Sequence, residues 1–251
     1  MTDVLSGRRF YIQQRDEWVP RGIILPVPST DWEDTTGYIS RLTDVRPWGV
    51  SLGTPSFADA NAANRDCLLA QLVTHSTLRP NQRIAGAQAL KFQCLCSETN
   101  AGNNLFLALG IRVISKTGAV QKVVLAVTRD GTEIVATTLT NRQFTATSAA
   151  GDYFTQEGDR ILFEVGAGGD PGVGLTHSYS LRLGDATYDL PEDDTATADG
   201  RPWIEFAQPI YLQGPYRPRI WRKYHIPTAA AAFVTPAIFT RTNHVVGCGV
   251  T

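Results

Sequence analysis

Residues 105–139 read LFLALGIRVISKTGAVQKVVLAVTRDGTEIVATTL. Three runs rich in β-branched residues, 105–115, 120–128 and 133–139, are separated by short turns. Strands of this length between turn signals are the mark of an all-β fold. The Asp130-Gly131 dipeptide inside Arg129-Asp130-Gly131-Thr132 predicts a hairpin between the second and third runs. The same texture extends outward. Strand-like segments recur at 9–13, 38–42, 82–95, 144–147, 160–167, 178–183 and 203–210. Turns rich in Gly, Asp and Asn lie between them. Regular short strands with such turns predict an antiparallel, jelly-roll-like β-sandwich. Within 82–95, Ala87, Leu90, Phe92 and Cys94 compete for the inner face. The one window with helical spacing is 59–72, DANAANRDCLLAQL, with apolar residues at Ala63, Cys67, Leu68 and Leu72. It reads as a short helix or an irregular connection.

Composition agrees with one domain and a sizeable core. The chain has 251 residues, 43% of them hydrophobic and 19% charged. Disorder, collagen and coiled coil are excluded. A formal net charge of −1 argues against nucleic-acid binding through bulk charge. No stretch is long and apolar enough to predict a membrane span, and residues 1–10 lack the apolar core of a secretory signal. Only Lys91, Lys116, Lys122 and Lys223 are lysines, so arginine supplies most of the 23 basic residues. Its planar fork suits docked, hydrogen-bonded contacts. Cys94 and Cys96 stand two apart, on one face of a strand, and with Cys67 and Cys248 they read as buried free thiols.

The charges are segregated. Residues 185–205 carry seven acids against Arg201, whereas residues 214–251 carry five basic residues and no acid. The predicted organisation is an extended N-terminal arm over 1–35, a β-sandwich over 36–213 and a basic C-terminal extension over 214–251. Pro20, Pro26 and Pro28 mark the first segment as extended. Both terminal segments are expected to dock on neighbouring subunits, the last with Arg217, Arg219, Trp221, Arg222, Lys223 and Tyr224 as contact residues, because Trp, Tyr and Arg are enriched at such contacts.

Signatures of chemistry are sparse. No histidine pair has zinc spacing, and no nucleophile elbow, Walker loop or dinucleotide loop occurs. The glycine-rich stretch 166–174 reads as a loop between strands. Glu164 and Glu205 are isolated acids in apolar strands and could form a glycosidase pair. Alternation instead sends Glu164 outward to solvent, with Ile161, Phe163 and Val165 on the core side. The acidic 190–195 loop could hold Ca²⁺ but matches no standard calcium loop. These readings predict no enzymatic activity, no cofactor and no metal. Trp18, Trp32, Trp48, Trp203 and Trp221 could instead form a sugar-stacking platform, so a carbohydrate-binding module for host adhesion is the alternative.

Three groups of segments resemble a family of uncharacterised tailed-bacteriophage proteins. The first is Trp32-Glu33-Asp34-Thr35-Thr36-Gly37 with Arg41-Leu42. The second comprises Ser97-Glu98-Thr99-Asn100, Ile111-Arg112-Val113 and Thr138-Leu139-Thr140-Asn141-Arg142. The third comprises Glu157-Gly158-Asp159-Arg160-Ile161-Leu162-Phe163-Glu164-Val165-Gly166 and Arg201-Pro202-Trp203-Ile204-Glu205-Phe206. The resemblance covers about residues 30–210. It implies a jelly-roll-like, concanavalin-like sandwich and a virion structural role, such as capsid decoration or a head or tail accessory. Other virion proteins and copies of the chain itself are the expected partners. It brings no catalytic residues.

Overall fold

The structure is a computed structural model and describes residues 4–11, 19, 22–43, 56–59, 65–98, 104–134, 137–138, 140–169, 177–182 and 202–213. All of them belong to one unit of the chain, Met1–Gly214. They form an all-β, jelly-roll-like sandwich. Among the described residues no helix is long and apolar enough to cross a membrane.

The first sheet contains β1 (Val4–Tyr11), β3 (Ser56–Asp59), β5 (Thr77–Leu78), β7 (Ala89–Glu98), β10 (Thr140–Thr147), β13 (His177–Arg182) and β14 (Trp203–Gln213). Its order is β1-β14-β7-β13-β3, with β10 also on β7 and β5 on β14. The second sheet contains β2 (Ile39–Thr43), β4 (Arg65–Thr74), β8 (Leu105–Ile114), β9 (Val120–Arg129) and β12 (Arg160–Gly169), in the order β2-β4-β12-β8-β9. A small ladder pairs β6 (Arg83–Ile84) with β11 (Tyr153–Phe154). The pairing is antiparallel except between β2 and β4, which run parallel, a departure from the antiparallel expectation.

The core lies between the two large sheets. Ile161, Phe163, Val165 and Ala167 of β12 meet Phe10, Leu90, Phe92, Ile204 and Phe206 of the opposite sheet. The rings of Phe10, Phe163 and Phe206 form a cluster with centroids 5.2–6.4 Å apart. Truncating one such ring to alanine costs about 3–5 kcal/mol. Cys94 and Cys96 do share the core face, and Cys67 is buried too; all three are free thiols. Burial pushes the Cys96 thiol up to about 12.

Four local expectations are corrected. Within 59–72, the described residues are strand: Asp59 ends β3, and β4 runs from Arg65 through Leu72. From Cys67 onward every residue of β4 is buried, because both faces of this strand are covered. A strand buried on both sides is continuously apolar, so its spacing imitates a helix. The second correction is the hairpin. After β9 the Asp130 N–H donates to Leu107 O and the Ile134 N–H to Leu105 O, both at 2.7 Å. The chain therefore runs on beside β8, and the next strand, β10, joins β7 in the other sheet. An Arg142–Asp130 ion pair at 2.7 Å ties the crossing. The third correction is the long segment 82–95. It divides into β6 and β7 around Ala87, which is exposed with φ +51° instead of facing the core. The fourth concerns the glycine run: Gly166, Gly168 and Gly169 are strand residues of β12.

Candidate docking face

Alternation along β8 and β12 creates the site. Odd residues of β8 from Leu105 to Val113 enter the core, so Ala108, Gly110, Arg112 and Ile114 take the outer face. On β12 the outer face receives Leu162, Glu164 and Gly166. The expectation that Glu164 meets solvent there is overturned, for its exposure is 0%.

What covers it belongs to the segment expected to lie across neighbouring subunits as an arm. Residues 22–34 fold back as a strap over their own sheet. Val19, Ile23 and Leu25 pack on Leu42, Val73, Ile114 and Leu162. Farther along, Trp32 packs on Leu68 and Ala108, with Tyr38 and Val127 beside them. A Cβ on Gly166 would lie 2.0 Å from the Cys67 carbonyl oxygen and 2.8 Å from the Trp32 ring, so only glycine leaves room there. The strap then joins β4. The Glu33 and Asp34 N–H groups donate to Asp66 O at 2.9 and 3.0 Å, and the Leu68 N–H donates to Asp34 O at 2.8 Å. The more N-terminal residues are not an arm either, since Val4–Tyr11 is β1, paired with β14.

Glu164 is the fastening point. Its carboxylate accepts hydrogen bonds from Trp32 Nε1 at 3.1 Å, Gln71 Nε2 at 2.9 Å and the Ser29 N–H at 3.2 Å, and it pairs with Arg112. Arg112 also donates to Val27 O at 3.0 Å. One buried carboxylate thus gathers donors from the strap, β4 and β8. Unpaired, it would be costly, because a charge taken out of water must be matched by partners. Arg112 and Glu164 oppose no solvent-borne substrate; the strap occupies that space.

The outside of the strap is different. Val27 is 79% and Ile24 54% exposed, and Val120 and Val123 of β9 are also exposed. These are four of the six large apolar side chains exposed among the described residues. They lie where the strap crosses β8 and β9: Arg112, which holds Val27, is the register partner of Val123, and Ile24 lies over Gly118 beside Val120. This grouping makes the strap-covered side of the second sheet the candidate docking face.

The other candidates separate. Glu205 lies on β14 in the first sheet, where Arg9 holds it at 2.5 Å and also stacks over Trp203, 4.3 Å from the ring centroid. Glu164 and Glu205 therefore sit on the outer faces of different sheets, each with its own arginine, and form no catalytic pair. Trp32 and Trp203 are buried, so neither belongs to an exposed sugar platform. Trp18, Trp48, Trp221, the acidic 190–195 loop and the contact residues Arg217, Arg219, Arg222, Lys223 and Tyr224 lie outside the described residues. No group of three or more metal-ligating side chains occurs among the described residues.

Sequence reasoning missed two features. One is the Glu164–Arg112 pair, which was visible as opposite charges at outward positions of two otherwise apolar strands. The other is Glu98 at the end of β7. It is 1% exposed, and among the described residues no side chain hydrogen-bonds to its carboxylate. Burial, reinforced by the charge of Glu133, pushes its carboxyl up to about 7.

No protein-family model matches the chain, and no curated protein matches it in sequence. Solved structures similar to it include an alpha-amino acid ester hydrolase, 13% identical with a TM-score of 0.43 over 67% of this chain and 35% of that one. An aminopeptidase from the marine sediment archaeon Thaumarchaeota archaeon is 8% identical, with a TM-score of 0.43 over 70% and 35%. The infectious bursal disease virus Gx strain structure is 12% identical, with a TM-score of 0.29 over 65% and 35%. The chain spans about a third of the length of each. The expectation of a chain without enzymatic activity is corrected at this point, because hydrolases stand among these similar structures. The similarity assigns no reaction. What is established of the chain is a jelly-roll-like β-sandwich.

Proposed function

We propose that the chain is a structural component of a virus particle, docking on a neighbouring subunit through the strap-covered face of its second sheet. The observation that carries this reading is the exposed Ile24, Val27, Val120 and Val123 group on a face whose backing is rigidly fastened through Glu164. A firm backing keeps an apolar surface in one shape, so little ordering cost remains when a partner arrives. The tailed-bacteriophage setting, as a capsid-decoration, head or tail accessory protein, rests on the resembling segments. In this reading the basic 214–251 extension is a second contact. Arg217, Arg219, Trp221, Arg222, Lys223 and Tyr224 would grip an acidic partner surface.

The test is incorporation. Particles assembled with the full chain, with a Val27→Asp/Val123→Asp variant and with a chain ending at residue 214 are purified on a density gradient. Their protein content is quantified by mass spectrometry. The full chain is expected at a fixed copy number, the double variant absent from particles though folded by circular dichroism, and the shortened chain depleted. Absence of the full chain from particles, or normal incorporation of the double variant, defeats the reading.

A further inference from the structure

A cleft with a volume of about 480 Å³ opens between the turn joining β5 to β6 and the end of β14. Its walls include Arg79, Pro80, Asn81, Arg83, Pro209 and Tyr211. The backbone of this region is tightly held. The Arg79 N–H donates to Tyr211 O at 2.8 Å, and the Asn81 N–H donates to Thr155 O at 2.7 Å. Gln82 spans the gap, donating from Nε2 to Tyr211 O at 2.7 Å and accepting from the Tyr211 N–H at 2.9 Å. Gln208 Nε2 donates to Arg83 O at 2.6 Å, and Thr155 Oγ1 to Arg79 O at 2.6 Å. The cleft is therefore preorganised by groups that face the framework.

The side chains left facing outward have a definite chemistry. Arg83 is neutralised by a two-point pair with Asp152, at 2.6 and 3.1 Å. Arg79 is exposed and makes no ion pair among the described residues, so the cleft holds one uncompensated cation. Tyr211 presents a partly exposed ring at the same place. Phe154, 60% exposed, stands opposite Arg83 in the β6–β11 ladder. A free guanidinium calls for a carboxylate, and an exposed phenol ring for a flat apolar face. The volume suits one or two sugar-sized rings. An extended acidic peptide would need a free strand edge to pair with. Here both edges of the last residues of β14 are taken, by β1 and β5, and β6 is paired with β11.

We propose that this cleft binds a carboxylated sugar, its carboxylate on Arg79, its C–H face on the Tyr211 ring and its hydroxyls toward the Asn81 amide. This site is separate from the docking face, and its fate is independent of the proposed function. The test is saturation-transfer NMR and calorimetry on the full chain with glucuronic acid, N-acetylneuraminic acid and, as the neutral counterpart, glucose. The Arg79→Gln and Tyr211→Ala variants remove only side-chain groups that the framework does not use. At least one acid sugar is expected to bind with a millimolar constant and glucose not to bind. Each variant should weaken binding by about tenfold or more, the loss of one good contact. Equal binding of glucose and the acids, no binding of either acid, or full binding by both variants overturns the proposal. Binding of a glutamate-rich peptide without either sugar overturns the sugar class.

Discussion

Replacing Glu164 by alanine removes the one acceptor on which the strap, β4 and β8 converge. Arg112 is then left with a side chain 7% exposed and its counter-charge gone. Breaking a buried pair by removing one partner costs about 3–5 kcal/mol. Trp32 Nε1, Gln71 Nε2 and the Ser29 N–H also lose their acceptor. Each buried group left unsatisfied would add about 1–3 kcal/mol. These terms do not simply add, because a cheaper response exists. The strap can lift, and water then reaches all of the orphaned groups. The expected outcome is local opening of residues 22–34 at a cost no greater than the charge term. Hydrogen exchange read by mass spectrometry on the full chain measures this directly. Peptides spanning 22–34 should lose protection by about 10²–10³-fold, since each 1.4 kcal/mol is a factor of ten. Peptides from β7 and β10, in the other sheet, should change far less. Replacing both partners by leucine should not restore protection, because the Trp32, Gln71 and Ser29 donors would still lack an acceptor. Unchanged exchange over 22–34 together with a stability loss under about 1 kcal/mol would refute the view that Glu164 fastens the strap.

Three further outcomes are expected. Glu98, with its carboxyl raised to about 7 by burial and then by Glu133, binds a proton more tightly folded than unfolded. Its contribution is therefore fully present below its ordinary value of 4.5 and is lost as pH rises through about 7. Glu98→Gln should be more stable than the parent at pH 8 by about 1–3 kcal/mol and should flatten the decline between pH 5 and 7, as read by urea denaturation at each pH; an unchanged slope would count against it. Gly166→Ala must push aside the Cys67 backbone or the Trp32 ring, so a destabilisation of about 1–3 kcal/mol is expected in thermal melts, and a neutral result would show that β12 can shift. In a Cys248→Ser background, Cys67, Cys94 and Cys96 should resist a disulfide reagent at pH 8 until denaturant is added, whereas immediate labelling of the folded chain would contradict their burial.

Much of the sandwich was legible because one side of each strand had to be apolar. The division of β12 into Ile161, Phe163 and Val165 against Leu162, Glu164 and Gly166 is correct in the structure, and Leu90, Phe92 and Cys94 do face the core. What alternation cannot express is a third layer. Nothing in the period of β12 says whether its outer side meets water or another piece of chain. The strap itself, with Pro26 and Pro28 and no regular period, carries no signal of where it lies. The same lack of a second reference misled the reading of β4: with both faces covered, Leu68, Leu69, Leu72 and Val73 show no alternation. The Asp130-Gly131 turn failed for another reason. Turn chemistry fixes a bend, but the partner of the next strand is set by burial, and Phe144 and Ala146 of β10 find it in the core beside β7. The candidate docking face was readable only in the charges of Arg112 and Glu164, and the cleft at Arg79 depends on β14 arriving from far along the chain.

The pairing of β1 with β14 has a kinetic meaning. Val4 stands opposite Gln213, and Leu5 opposite Leu212, in adjacent strands. β1 must therefore wait for β14, made some two hundred residues later, before its ladder can form. Contacts of such long sequence separation make folding slow, and they leave β1 without its β14 partner until that stretch of chain has been made. Antiparallel partners lie only about 5 Å apart. A short linker could therefore join residue 213 to residue 4, with new ends opened between the exposed Lys116 and Thr117 of the turn before β9. Such a permuted chain would begin at β9, and β14 and β1 would become a hairpin, available to each other as soon as both were made.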